Sequence, residues 1–190
     1  MTDAPSSAAA PERVAAPTVV VMGVSGSGKS TIGALVADAL RVPFLDGDSL
    51  HPRANIVKMA AGTPLDDDDR APWLAEVGRR LAEARGRGDG LVIACSALKR
   101  RYRAAILAVA PRTVFLHLHG SGDTLTLRLE GRSGHFMPAA LLDSQLATLE
   151  PLDTDEPGLV VDIHWPVDAV VATAIDGLRA FTESPADHRA

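Results

Sequence analysis

The sequence predicts a three-layer α/β domain, with a five-stranded parallel sheet, helices on both faces and a small lid, on three observations. Five short apolar, β-branched runs, at residues 19–22, 42–45, 91–95, 113–119 and 159–163, alternate with stretches of helical periodicity. Most of these runs are apolar throughout instead of alternating, as expected of parallel strands covered on both faces. At 190 residues, with 46% hydrophobic and 23% charged residues, the chain is long enough for one sizeable core and ordinary for a globular protein.

Taken in order, residues 1–17 are rich in Ala, Pro and Ser and read as a disordered tail. The first strand, after Pro17, leads into a glycine-rich loop and then a helix over 29–40, with Ile32, Leu35, Val36, Ala39 and Leu40 at helical spacing. The second strand ends in Asp46-Gly47-Asp48. Residues 49–61 read as a helix, with Pro52 tolerated in its first turn and Gly62 as its stop. A polar loop over 63–70 carries the run Asp66-Asp67-Asp68-Asp69, and a helix follows from 72 to 85 with Trp73, Leu74, Val77 and Leu81 on one face.

The third strand is 91–95, and residues 96–100 open the next helix, which Ser96 can cap. The fourth strand, 113–119, is followed by a helix from about 123, with Leu125 and Leu129 inward and Leu127 a further candidate. Residues 131–138 are too glycine-rich for helix. Helix resumes over 139–149, the fifth strand is 159–163, the last helix is 167–181, and residues 183–190 read as a flexible tail. The whole of 18–182 is one domain. Right-handed crossovers place the carboxyl ends of all five strands, and with them the ligands, on one rim.

A net charge of −5 gives no electrostatic reason for a nucleic-acid partner. No apolar run reaches the eighteen or so residues needed to span a membrane. Residues 1–16 lack the basic start and apolar block of a secretory signal, and the single cysteine, Cys95, excludes an internal disulfide. These features place the protein in the cytoplasm.

The loop at residues 23–31, Gly-Val-Ser-Gly-Ser-Gly-Lys-Ser-Thr, satisfies G-x-x-x-x-G-K-[ST] between a strand and a helix, the context that separates a phosphate-binding loop from a chance glycine-rich turn. Gly23, Gly26 and Gly28 permit backbone angles and close approaches that a β-carbon obstructs. The N–H groups of the loop then form an anion nest in front of a helix N-terminus. Gly23, Ser25, Gly26, Ser27, Gly28, Lys29, Ser30 and Thr31 are the predicted ATP contacts, with Lys29 reaching the β- and γ-phosphates and Ser30 holding Mg²⁺. Three other features are discounted. Consecutive aspartates at 66–69 cannot all face one ion, so a solvated loop is the better reading. His117 and His119 share a strand face without a nearby third ligand, so strand packing is the better reading, and Cys95 reads as a small buried side chain.

From Asp46 onward the residues resemble one family. Residues 46–59, DGDSLHPRANIVKM, resemble the DGD-x-x-HP-x-x-N-x-x-KM block of the small P-loop gluconokinases. So do residues 62–74, the Cys95-Ser96-Ala97-Leu98-Lys99 stretch with Tyr102 and Arg103, residues 134–137, and Gln145 with Leu149-Glu150. The resemblance covers about 19–171. It implies a P-loop kinase fold like that of the shikimate and nucleoside-monophosphate kinases, a homodimer, and transfer of the ATP γ-phosphate to the 6-hydroxyl of D-gluconate.

Such a transfer needs positioning and charge neutralisation more than covalent chemistry. Asp46, at the tip of the second strand, is suited to hold Mg²⁺, and Asp48 to accept the proton of the attacking hydroxyl. A sugar acid also needs a carboxylate clamp. Arg53 and Arg70 are the candidates, because guanidinium meets carboxylate as a bidentate fork. Analogy with shikimate kinases favours Arg70. His51, Ser96, Lys99, His135 and Gln145 are candidates for the hydroxyls or the carboxylate.

The family resemblance further implies a lid at about 128–138 that puts Arg132 on the phosphates as a catalytic residue, Arg128 nearer the adenine, and Pro166 beside it. Competing readings are a shikimate or nucleoside-monophosphate kinase, a GTP-dependent switch and a non-catalytic nucleotide-binding module. The HPR block and GHFM stretch oppose the first. The switch lacks an N-K-x-D motif, and Asp155-Glu156-Pro157-Gly158 matches D-x-x-G too late in the chain. Intact Lys29, Ser30, Asp46 and Asp48 oppose the third.

Overall fold

The computed structural model describes residues 16–130 and 139–183; the expectations for residues 1–15, for Arg132 and His135, and for residues 184–190 lie outside it. The elements are β1 (Thr18–Met22), α1 (Lys29–Leu40), β2 (Phe44–Asp46), a 3-10 turn (Gly47–Leu50), α2 (Arg53–Ala60), α3 (Asp67–Gly86) and β3 (Leu91–Ala94). There follow α4 (Arg100–Val109), β4 (Thr113–His119), α5 (Gly122–Glu130), α6 (Ala139–Thr148), β5 (Gly158–Asp162) and α7 (Val167–Glu183). The five strands form one parallel sheet in the order β2-β3-β1-β4-β5.

β1 lies at the centre, and the side chains of Val19, Val20, Val21 and Met22 are fully buried. Because successive strand residues point to opposite faces, these four supply two cores. Val19 and Val21 pack with Ile32 and Val36 of α1 and Val170, Ala174 and Leu178 of α7. Val20 and Met22 pack with Trp73, Leu74, Val77 and Leu81 of α3 and Tyr102 and Ile106 of α4. The three-layer architecture thus follows from one strand whose both faces are apolar.

The boundaries differ from expectation where proline, acidic or tail residues are involved. Residues 16 and 17 are not tail: the Leu91 amide donates to the Pro17 carbonyl at 3.1 Å. The single helix expected over 49–61 is a 3-10 turn followed by α2. Pro52 forces extended backbone on His51 (φ −61°, ψ 134°), so the two cannot join. Residues 66–70 are not a loop. Asp66 caps α3, its side chain accepting from the Asp69 amide at 2.8 Å while Asp69 accepts from the Asp66 amide at 2.9 Å. This reciprocal capping box, with Asp67, Asp68 and Asp69 in the first turn against the positive end of the helix dipole, explains why the acidic run starts the helix. Likewise α4 begins at Arg100, so Ser96 caps nothing. Leu127 points outward, 69% exposed.

Of the polar side chains buried in the fold, Arg103 was not anticipated and His117 packs within its strand as expected. Arg103 is fully buried and paired with Glu156 (Nε–Oε1 2.6 Å, Nη2–Oε2 2.7 Å), while its remaining donors reach the carbonyls of Ala97, Leu98, Glu150 and Pro151. One guanidinium thereby ties the segment before α4 to the segment before β5. His117 of β4 is 3% exposed and neither ring nitrogen has a hydrogen-bond partner among the described residues. Burial, with His119 and Arg103 nearby, pushes its pKa down to about 4.

Removing one partner of a buried pair leaves an uncompensated charge or donor. Glu156→Gln is therefore expected to lower the stability measured by urea denaturation by about 3 kcal/mol. A loss below about 1 kcal/mol would mean that the pair behaves as a surface one.

His117 must be neutral in the folded state, whereas in the unfolded chain it titrates near 6.5. Its contribution is therefore constant above pH 6.5 and falls progressively toward pH 4, as the unfolded chain alone takes up the proton; the loss amounts to about 3 kcal/mol. Stability measured against pH for the native chain and for His117→Leu should diverge between those limits. Parallel curves would show that His117 does not titrate differently in the two states.

Candidate active site

The site lies on the rim formed by the carboxyl ends of β1, β2 and β3. After β1 the chain turns through Gly23 (φ 140°), Gly26 (φ 82°) and Gly28 (φ 90°). A β-carbon at Gly23 would fall 2.8 Å from the Leu118 carbonyl oxygen, and one at Gly26 would fall 2.8 Å from the Leu129 side chain. Only glycine meets both the dihedral and the spatial demand here. The result is a strand–loop–helix cradle that leads directly into the head of α1. Lys29 Nζ donates to the Val24 carbonyl at 3.0 Å and so lies folded back along the loop.

β2 delivers the acids. Ser30 Oγ donates to Asp46 Oδ2 at 2.9 Å, and the other Asp46 oxygen accepts from the Asp48 amide at 3.1 Å. This joins the loop to the tip of β2 and faces a hydroxyl and a carboxylate toward one another, a donor set of the hard oxygen type that Mg²⁺ takes. Gly47, between the two acids, is buried, and a β-carbon on it would lie 2.5 Å from the Ala94 carbonyl oxygen of β3. Asp48 is exposed at the start of the 3-10 turn.

His51 lies beyond that turn, its ring stacked on Trp73 (centroids 4.2 Å apart, planes at 15°). Trp73 Nε1 donates to the Gly47 carbonyl at 2.7 Å, so α3 holds both the turn and the imidazole. Burial lowers the pKa of His51, Asp48 raises it and Arg70 lowers it; these three side chains are thus within one another's electrostatic reach. Arg70 is half-buried, with Nη1 donating to the Leu65 and Asp66 carbonyls and the guanidinium 5.8 Å from the Tyr102 ring centre. Arg53 is exposed at the first position of α2.

The other predicted residues are distributed around this core. The Gly23 amide donates to the Ser96 carbonyl at 3.3 Å, so Ser96 adjoins the loop through its backbone. Lys99 Nζ is bound to Asp67 Oδ1 at 3.0 Å and lies 5.3 Å from the Tyr102 ring centre. Gln145 of α6 is held against the loop, where Oε1 accepts from the Ser25 amide at 2.7 Å and Nε2 donates to Ser25 Oγ at 3.1 Å. It was expected among the groups that read the acceptor, and it stands instead on the phosphate side. Arg128 Nη2 donates to the Ile163 carbonyl at 2.5 Å, and Nη1 lies 3.5 Å from where a Gly28 β-carbon would be, so Arg128 spans from the loop to the end of β5. Thr31 is exposed on α1 and Pro166 is exposed just before α7.

Sequence reasoning did not single out Asn55, Asp67, Asp69 or Lys58 as a framework. Lys58 binds Asp66 and Asp69, and Asp67 takes Lys99, Arg101 and Tyr102, so α2, α3 and α4 meet at the head of α3. The D-x-x-D spacing of Asp66 and Asp69 was the available signal. Cys95 is buried beneath the two acids and Lys29, and its burial raises the thiol pKa to about 12, consistent with an inert side chain. A groove of about 760 Å³, between α1 and α7 and lined by Leu35, Ala39, Val167, Val171 and Ile175 among others, lies away from this rim.

A family model described as an AAA domain matches residues 19–152. The gluconokinase of Gluconobacter oxydans (strain 621H) is 47% identical over 162 residues, spanning 85% of this chain and 91% of that protein. The thermoresistant gluconokinase of Escherichia coli (strain K12) is 45% identical over 161 residues, spanning 84% and 92%. A crystal structure of a gluconokinase from Sinorhizobium meliloti 1021 superposes with a TM-score of 0.81 at 46% identity, covering 89% of this chain and 95% of that one. A phosphate-loop cradle, a carboxylate pair at the tip of β2 and relatives of this identity over most of their length lead to one conclusion: the chain belongs to the gluconokinase family.

Proposed function

We propose that this protein transfers the γ-phosphoryl group of ATP to the 6-hydroxyl of D-gluconate. The observation that carries the reading is the Ser30–Asp46 contact at 2.9 Å, which joins the phosphate loop to an acidic turn whose second acid, Asp48, stands beside His51 and Arg70. Gluconokinase relatives at 45–47% identity support gluconate as the acceptor.

In this reading the loop N–H groups of residues 23–31 and Lys29 cradle the nucleotide phosphates, with Lys29 leaving the Val24 carbonyl to do so. Ser30 and Asp46 hold Mg²⁺, which neutralises charge on the phosphates when bound. Asp48 orients the 6-hydroxyl and accepts its proton as the oxygen–phosphorus bond forms and the bond to ADP breaks. Arg70, with Arg53 as second candidate, clamps the gluconate carboxylate through its uncommitted donors, and His51, Ser96 and Lys99 serve the remaining oxygens. Arg128 lies on the nucleotide side with Pro166 beside it; the roles assigned to Arg132 and His135 rest on the family resemblance. A homodimer rests on that resemblance too, and a cytoplasmic location on the lone buried cysteine.

The reading is tested by ADP release from ATP and Mg²⁺ with D-gluconate, in parallel with shikimate, glucose, glycerate and AMP. Release with gluconate alone is expected; release with another acceptor alone would overturn the substrate and leave the phosphate chemistry intact. Asp48→Asn is expected to lower kcat by about 10²- to 10³-fold, with ATP affinity near normal; unchanged turnover would remove Asp48 as the base. Arg70→Ala is expected to raise the gluconate KM at least about tenfold, the scale of one charged hydrogen bond, while the ATP KM stays within about twofold. Equal effects on both would move the clamp away from Arg70.

A further inference from the structure

Asn55 is the exception on α2. Arg53, Ala54, Ile56 and Val57 are exposed, whereas Asn55 is only 4% exposed and faces α3. Its amide nitrogen lies 2.7 Å from the Asp69 carbonyl oxygen and 3.4 Å from His51 Nδ1. A carbonyl can only accept, so the atom next to Asp69 must be the NH₂ group, whichever way the amide is drawn. That group has two hydrogens. One goes to Asp69, and the other is directed to His51 Nδ1, which must then present its lone pair. A proton on Nδ1 would set donor against donor at a half-buried contact and leave the second N–H of buried Asn55 unmet.

The imidazole is held against this choice. Its face lies on Trp73, which is itself anchored to the Gly47 carbonyl. Turning the ring over would bring a carbon to the Asn55 N–H and leave that buried donor without an acceptor. Burial lowers the His51 pKa and nearby Arg70 lowers it further, against the pull of Asp48, which agrees with a neutral ring.

We propose that Asn55 is a positioning residue that fixes His51 as the neutral Nε2–H tautomer, so that His51 serves the acceptor as a hydrogen-bond donor through Nε2. The sugar acid as recipient of that bond rests on the function proposed above; the tautomer does not. A donor at this point suits the oxygens of a polyol acid. It also sets His51 apart from Asp48: the carboxylate takes the proton of the attacking hydroxyl, while the imidazole gives a hydrogen bond and keeps its proton.

The test is long-range ¹H–¹⁵N correlation on the full chain labelled at histidine, with His51 assigned by its loss in His51→Gln. The native protein is expected to show Nδ1 unprotonated and Nε2 protonated at neutral pH; a protonated Nδ1 overturns the proposal. In Asn55→Asp the carboxylate only accepts, so the proton is expected on Nδ1, with kcat/KM for gluconate lowered about tenfold and the ATP KM unchanged. Where Asn55→Asp does not fold, Asn55→Ala is expected to give a mixture of tautomers and a smaller loss confined to the acceptor. An unaltered tautomer with unaltered gluconate kinetics in either variant overturns the assignment. The spectrum requires no acceptor, so a protein that phosphorylates something other than gluconate would refute the proposed function and leave the tautomer to be read by itself.

Discussion

The close approach of β2 to β3 at Gly47 governs the geometry of the site. With no β-carbon to strike the Ala94 carbonyl, the chain turns at once into a 3-10 turn and leaves Asp46 and Asp48 on the same rim. From there Asp46 meets Ser30 across the sheet edge, and the Gly47 carbonyl is free to take the Trp73 indole. A larger residue would push the turn off β3 and separate the acids from the phosphate loop, because backbone at this packing density has no room to yield. One contact distance thus links sheet packing to the spacing of the groups proposed above for phosphoryl transfer.

The acceptor side and the nucleotide side are stabilised differently. The proposed nucleotide side is largely backbone: a glycine cradle that follows the fully buried central strand β1. The acceptor side is side chains held by other side chains. Lys58, Asp66, Asp69 and Asn55 join α2 to α3, and Asp67 joins α3 to Lys99, Arg101 and Tyr102. Most of these groups are partly exposed, so their ion pairs act mainly as orientation and contribute little stability individually. Arg103 and Glu156 are the opposite case, buried together and bonded to four carbonyls, and they connect distant parts of the chain where no strand pairing does so.

What could be read beforehand follows from the range of each interaction. The strands, their parallel arrangement and the phosphate loop depend on short, local patterns, and β4 was placed to the residue. The start of α3 was missed because four consecutive aspartates have the composition of a solvated loop, and only the cap geometry shows that they begin a helix. The break at His51 was missed because a proline in a first turn and a proline just before a helix have the same local sequence. Arg103 with Glu156 has no local signature: burial of a charged side chain is decided by segments far apart in sequence. Gln145 was expected to read the acceptor, but that it bonds Ser25 of the loop depends on how α6 docks there, a tertiary fact.

The layout of the acceptor wall carries one more implication. Asp46, Asp48, His51, Arg53, Asn55, Arg70 and Trp73 all belong to one uninterrupted stretch between β2 and the first turns of α3. The groups proposed for the nucleotide, in contrast, are gathered from the loop after β1, the first turn of α1, α5 and the segment between β5 and α7. On the roles proposed above, most of the acceptor-reading groups form one contiguous cassette, with Ser96 and Lys99 added from the segment before α4, laid over a phosphate-handling chassis that it meets at the Ser30–Asp46 junction. Such an arrangement lets selection, or an engineer, exchange the cassette as a block without redrawing the chassis beneath it.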